Sequence, residues 1–187
     1  MQPEQLSTRY DGLSIGLHWL IALLTIILFA SGLWMVELDY YDKWYYTVPW
    51  WHKGIGFITA MLVVFRFIWQ YFRHSPSPIL TTARWQSLLA GLVHGVMNLL
   101  LVSLLISGYL IVTVKGDPLS VFDWFSIPAL SVDETFWSEY AGRLHLWAAW
   151  TVIGIACLHL TAALKHHYID RDITLTRMLP TTKGDNR

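Results

Sequence analysis

The stretch RLHLWAAWTVIGIACLHL, residues 143–160, is apolar enough to cross a bilayer, yet it carries His145 and His159. Fourteen positions separate the two, roughly 21 Å along a helix axis at 1.5 Å per residue. At about 100° per residue they fall on nearly the same face, about 40° apart. Ala149, Val152 and Ala156 lie between them on that face, leaving room for something flat against the helix. Ionisable side chains at membrane depth are costly and functional by default. Two of them in line need a common explanation.

The rest of the chain repeats the same apolar theme. Of its 187 residues 55% are hydrophobic and 14% are Asp, Glu, Lys or Arg, against about a quarter charged in soluble domains. Net charge is zero, which gives a nucleic-acid partner no electrostatic basis. Eleven Trp and nine Tyr suit aromatic belts at the membrane interfaces. The single cysteine, Cys157, reads as a packing residue, and no C-x-x-C-H is present to attach a haem covalently.

Four segments, about 13–36, 50–72, 88–113 and 141–165, exceed the roughly 20 helical residues a span requires. The first lacks the basic n-region and A-x-A-like site of a cleavable signal, and Pro49 suits the first turn of the second. Nine Lys and Arg, from Arg9 to Arg187, flank the side holding both termini and the 73–87 connection. Lys43, Lys53, Lys115 and Arg143 make four on the other. The positive-inside rule then places both termini in the cytoplasm. The expectation is an all-α integral membrane four-helix bundle, one domain over 1–187. A long outer loop spans 114–140, and no internal repeat is evident.

Two further histidines match the depths of the first two. His18 lies early in the first span, level with His159, and His52 begins the second, level with His145. An inner pair, His18 with His159, and an outer pair, His52 with His145, are what two b haems need as trans axial imidazoles inside a bundle. Gly16, Gly54 and Gly56 beside the ligands allow close approach of a ring or helix. Arg66 is a propionate candidate for the inner haem, Lys53 and Arg143 for the outer one. A zinc site would gather three or four ligands at one point, and a transporter or proton relay would not explain matched pairs. His94 has no obvious partner at its depth and reads as structural or quinone-facing, while His74 reads as solvated. His166 and His167 cap the last helix, or His166 serves as proton donor at a quinone pocket. Trp19, beside His18, reads as an interface anchor or a porphyrin contact.

The motifs HW in the first span, HKxIG in the second, LH at 144–145 and LH followed by ALKHHYIDRDITLTRM resemble the bacterial cytochrome b561 family. That family is related to the haem b subunits of nickel–iron hydrogenases and to superoxide oxidases, and the likeness covers about residues 8 to 180. It implies two non-covalent b haems on His18, His52, His145 and His159, a bacterial inner-membrane location, and electron exchange with ubiquinone near His166 and Arg84. The expected function is electron transfer between the periplasmic side and the quinone pool, with superoxide as a candidate donor. In the superoxide-oxidising relatives the outer surface is basic, whereas eight acids face four Lys and Arg in the outer loops here. The alternative is an electron-relay membrane anchor for a periplasmic lipid-binding or redox protein. Membrane lipid is the remaining partner, and a homodimer is compatible with the size.

Overall fold

The computed structural model describes residues 9–73, 76, 83–130 and 134–180, with backbone alone for residues 134–136 and 138. His74 lies outside the described residues. Four long helices cross the molecule: α1 Gly12–Val36, α2 Thr47–Phe72, α3 Arg84–Thr113 and α4 Glu134–Tyr168. Each carries an apolar window, of mean hydropathy 2.3, 1.6, 2.2 and 1.6 in turn. Their outward faces are as apolar as their inward ones. Leu23 and Ile26 on α1 and Leu88, Leu92 and Leu99 on α3 are all exposed. Helices hydrophobic all round are stable when lipid, not water, surrounds the bundle.

Local chemistry sets the helix ends. Asp11 caps α1, accepting from the Ser14 backbone N–H at 3.1 Å and its hydroxyl at 2.7 Å. The Trp69 indole N–H donates to the same carboxylate at 3.3 Å and ties the start of α1 to the end of α2. Burial alone would raise the Asp11 pKa. Hydrogen bonds from Ser14 and Trp69, with the nearby Arg73 charge, outweigh it and hold the group below the usual 3.8. Helix α3 begins at Arg84, where Gln86 reaches back to the Ala83 N–H at 3.2 Å.

The outer loop differs from expectation. Helix α4 begins at Glu134, seven residues before the apolar run, because hydropathy marks the lipid-buried part of a helix and not its interfacial extension. Its 35 residues rise roughly 52 Å, well beyond a hydrocarbon core of about 30 Å. The connection after α3 carries an antiparallel hairpin, β1 Leu119–Val121 and β2 Phe125–Ile127, with Leu119 opposite Ile127. At its tip Phe122 and Asp123 take φ of 49° and 60°, a left-handed conformation costing non-glycine residues about 1–2 kcal/mol each. Two contacts offset that strain. The Trp50 indole donates to Asp123 at 2.9 Å, and the Phe122 ring packs edge-on to Trp50 and Trp51 at 4.9 and 5.4 Å. Gly54 is what admits that ring, since a Cβ there would collide with it.

Helix α1 packs along α2 and α3 along α4, and the two helical pairs meet less closely. Ile21, Val63, Leu101 and Val152, one from each helix, form a buried layer at mid-bundle. Histidines stand on both sides of it. The end holding Tyr10 and residues 169–180 is the terminal end, and the end holding 37–46 and the β-hairpin is the loop end.

Candidate functional site: two histidine pairs in the bundle

At the loop end, His52 on α2 and His145 on α4 face each other with ring centroids 6.3 Å apart. Each imidazole is held from behind by a serine on the preceding helix. Ser31 Oγ lies 2.9 Å from His52 Nδ1 and donates its own proton to the Leu28 carbonyl at 3.0 Å. Ser107 Oγ lies 3.0 Å from His145 Nδ1 and donates to the Ser103 carbonyl at 2.6 Å. A hydroxyl has one proton to give. Both serines have spent it on backbone, so both accept from the imidazole Nδ1–H. That fixes the tautomer on each side and leaves Nε2 unprotonated, with a lone pair able to bind a metal.

Glycine completes each mount. A Cβ at Gly32 would stand 3.3 Å from His52 Cε1, and one at Gly108 would stand 3.2 Å from His145 Cε1. The dipeptide Ser–Gly thus supplies an acceptor and a clearance together. An apolar cavity of about 710 Å³ opens around the pair, walled by Leu28, Gly56, Leu104, Ala149 and the hairpin residues Leu119 and Ile127, with Lys53 among its walls. Cofactor pockets run roughly 300–1,000 Å³.

At the terminal end, His18 on α1 and His159 on α4 face each other with centroids 6.5 Å apart. His94 on α3 joins them, its ring 5.1 Å from that of His159. The expectation that His94 has no partner at its depth is therefore corrected. Arg66 is half-buried on α2, close enough to act electrostatically on both His18 and His94. Trp19 sets its ring edge against His18 at 5.3 Å and donates its N–H to the Met178 carbonyl at 2.7 Å, closing residues 169–180 over this end.

The other candidates are placed less centrally. Arg143 is exposed and paired with Glu139 on its own helix at 2.7 Å, and it is not among the cavity walls. Arg84 is exposed at the first turn of α3. His166 sits in the last turn of α4 with Nδ1 2.9 Å from Asp172 and 3.0 Å from Asp170, while Lys165 bridges Asp170 at 2.6 Å. Burial would raise the Asp172 pKa, but hydrogen bonds from Thr174 and the contact with His166 bring it below 3.8.

Sequence reasoning missed the serines, and with them a repeat. His18 precedes Ser31–Gly32 by thirteen residues on α1, and His94 precedes Ser107–Gly108 by thirteen on α3. His52 precedes Arg66 by fourteen on α2, and His145 precedes His159 by fourteen on α4. The two helical pairs thus carry one pattern, contrary to the absence of an internal repeat expected above. Its signal was the recurring H-x12-S-G, faint because the intervening residues are mostly interchangeable aliphatics.

A bundle of four helices long and apolar enough to cross a membrane, with facing imidazoles inside, is the architecture of membrane cytochromes of the b class. The chain belongs to the prokaryotic cytochrome b561 family, whose pattern it matches over residues 9–181. It is 44% identical to cytochrome b561 homolog 2 of Escherichia coli (strain K12), over 95% of this chain and 94% of that protein. It is 31% identical to the probable superoxide oxidase CybB of Yersinia pestis, over 94% and 98%. To cytochrome b561 homolog 1 of Escherichia coli (strain K12) it is 27% identical, over 94% and 99%. Membership carries with it b-type haem, electron transport and a multi-pass place in the inner membrane.

The residues present fit such a group. An iron between two imidazoles holds their centroids roughly 6 Å apart, from metal–nitrogen bonds of about 2 Å and about 1 Å more to each ring centre. Both facing pairs have that spacing, at 6.3 and 6.5 Å. The 5.1 Å between His94 and His159 is too short for it.

Proposed function

We propose that the chain is a dihaem cytochrome b that moves electrons between the periplasmic side and the membrane quinone pool. His52 and His145 hold one haem at the loop end, and His18 and His159 hold the other at the terminal end. The observation that carries this reading is the pair of imidazoles, each held at Nδ1 by a serine, whose rings stand 6.3 Å apart beside an apolar cavity. When bound, haem b supplies one-electron redox chemistry.

The chain's own residues do the rest. With two imidazoles to hold each haem, the site would leave no ligand position open to oxygen, which would favour electron transfer over oxygen activation. Ser31 and Ser107 orient two of those rings and raise their basicity. The apolar walls keep water from the loop-end group, and Lys53 offers a cation for a propionate. With nine Lys and Arg on the terminal side against four on the other, both termini lie in the cytoplasm and the loop end faces the periplasm. Ubiquinone takes electrons at the terminal end, where His166, anchored to Asp172 through Nδ1–H, gives a proton from Nε2 in its imidazolium form and Arg84 supplies positive charge.

For superoxide as donor the balance is two superoxide and two protons plus one quinone, giving two dioxygen and one quinol. Likeness to a probable superoxide oxidase supports that donor. The acidic loop end favours a second reading, in which a basic periplasmic redox protein delivers the electrons and the chain is its membrane relay. Purified protein in ubiquinone-loaded vesicles separates them. Quinol formation driven by an enzymatic superoxide source, without added protein, is expected for the oxidase. Haems that superoxide leaves oxidised would discard it in favour of the relay.

A further inference from the structure

The repeat has a consequence at the terminal end. At the loop end the two halves contribute alike, Ser31 with His52 and Ser107 with His145. At the terminal end each half again offers two positions, His18 with Arg66 in the first and His94 with His159 in the second. The facing pair at metal-compatible spacing draws one residue from each half, His18 and His159. Its counterpart by the repeat is His94 with Arg66. There the position equivalent to His159 holds a guanidinium, which binds no metal.

Arg66 lies inside a membrane-crossing helix, six residues before its end. Among the described residues no carboxylate reaches ion-pair distance of it. Its electrostatic neighbours are His18, His94 and Tyr10, with no Asp or Glu among them. A permanent cation at that depth is stable only opposite a negative charge. Among the described residues the His94 ring also has no hydrogen-bond partner, and a neutral imidazole carries one N–H to give.

We infer that Arg66 and His94 form a carboxylate-binding site beside the terminal-end haem, the repeat-related counterpart of the His159–His18 pair with anion binding in place of metal ligation. This rests on the dihaem reading above, in which the carboxylate is a propionate of that haem. Arg66 binds it as a charge-assisted fork, and His94 adds a neutral donor from the facing helix. The site fixes which way round the porphyrin sits, because only one edge of the ring carries carboxylates. The guanidinium also balances the carboxylate's negative charge beside that iron, which favours the reduced form.

The test uses haem-depleted full-length protein in detergent, reconstituted with haem b or with its dimethyl ester, which has no carboxylate charge. In the unaltered chain the terminal-end site should take the ester at least tenfold more weakly than haem b. R66Q should bind haem b as weakly as the unaltered chain binds the ester, and should no longer distinguish the two. H94Q should fall between, and the haem midpoint potential at the terminal end should drop in R66Q. The loop-end haem, retained in each variant, reports that the bundle is folded. Equal affinity of the unaltered chain for both compounds, or a variant that discriminates as well as the parent, overturns the carboxylate site while leaving the dihaem reading intact. A parent chain that takes fewer than two haems overturns both.

Discussion

Ser107→Ala tests the loop-end mount most sharply. Ser107 is fully buried, at 0% exposure, and its hydroxyl accepts from His145 Nδ1–H at 3.0 Å. Removing the oxygen takes from that N–H its serine acceptor and leaves it only the Leu104 carbonyl nearby, at a cost of about 1–3 kcal/mol. Loss of an outer partner of a metal-ligating histidine weakens metal binding by about 10–100-fold, and about 1.4 kcal/mol corresponds to each tenfold. The two estimates agree. The assay is haem titration of depleted protein, followed in the Soret band, with the potential of the loop-end haem measured in the same samples. Loop-end affinity should fall by about 10–100-fold with the terminal-end haem undisturbed. Ser31 is only half-buried, so water can replace its oxygen and Ser31→Ala should fall at the low end of that range. Unchanged affinity and potential in Ser107→Ala would show that the serine does not hold His145 and would leave it a helix residue bonded to its own backbone.

Gly108→Ala places a methyl 3.2 Å from His145 Cε1, tighter than normal contact, and should turn the ring and release the loop-end haem alone, read from haem stoichiometry. His166→Gln should keep both haems and slow reoxidation by ubiquinone about 10²-fold, as loss of a proton donor does, measured by stopped-flow; unchanged rates would leave His166 as a helix cap. Asp11→Ala should lower stability by about 1 kcal/mol near neutral pH, the usual worth of an N-cap. The Asp11 pKa is lowered in the fold, so this stabilisation is present above the ordinary carboxylate value of 3.8 and lost as pH falls through the lowered one. The gap between wild type and Asp11→Ala in detergent melts should therefore close below about pH 4.

How much the sequence disclosed depended on the physics of each feature. The four spans were legible because lipid demands long apolar runs, and that signal is redundant over twenty residues. His18, His52, His145 and His159 were legible because imidazoles are rare in such runs, so their depths stand out against a uniform background. Ser31 and Ser107 were not. A serine in a membrane helix bonds back to its own carbonyls, as Ser103 does to Leu99, and only a contact across helices distinguishes the two that hold histidines. His94 was misjudged although the expected spans already set it level with His159, because attention to trans pairs left no place for a third ring at that depth, and only the bundle shows its ring reaching His159. The β-hairpin escaped notice because strands of three residues carry no periodicity, and its decisive contact, Phe122 on Gly54, joins positions 68 residues apart.

If four histidines in two facing pairs hold two haems, a reduced-minus-oxidised absorption spectrum of the purified chain, with haem counted per polypeptide, will show it. Two b-type haems per chain are expected, falling to one in His52→Ala or His145→Ala with the remaining signal intact. A chain that carries one haem or none after supplementation, or that keeps both when His145 is replaced, would contradict it.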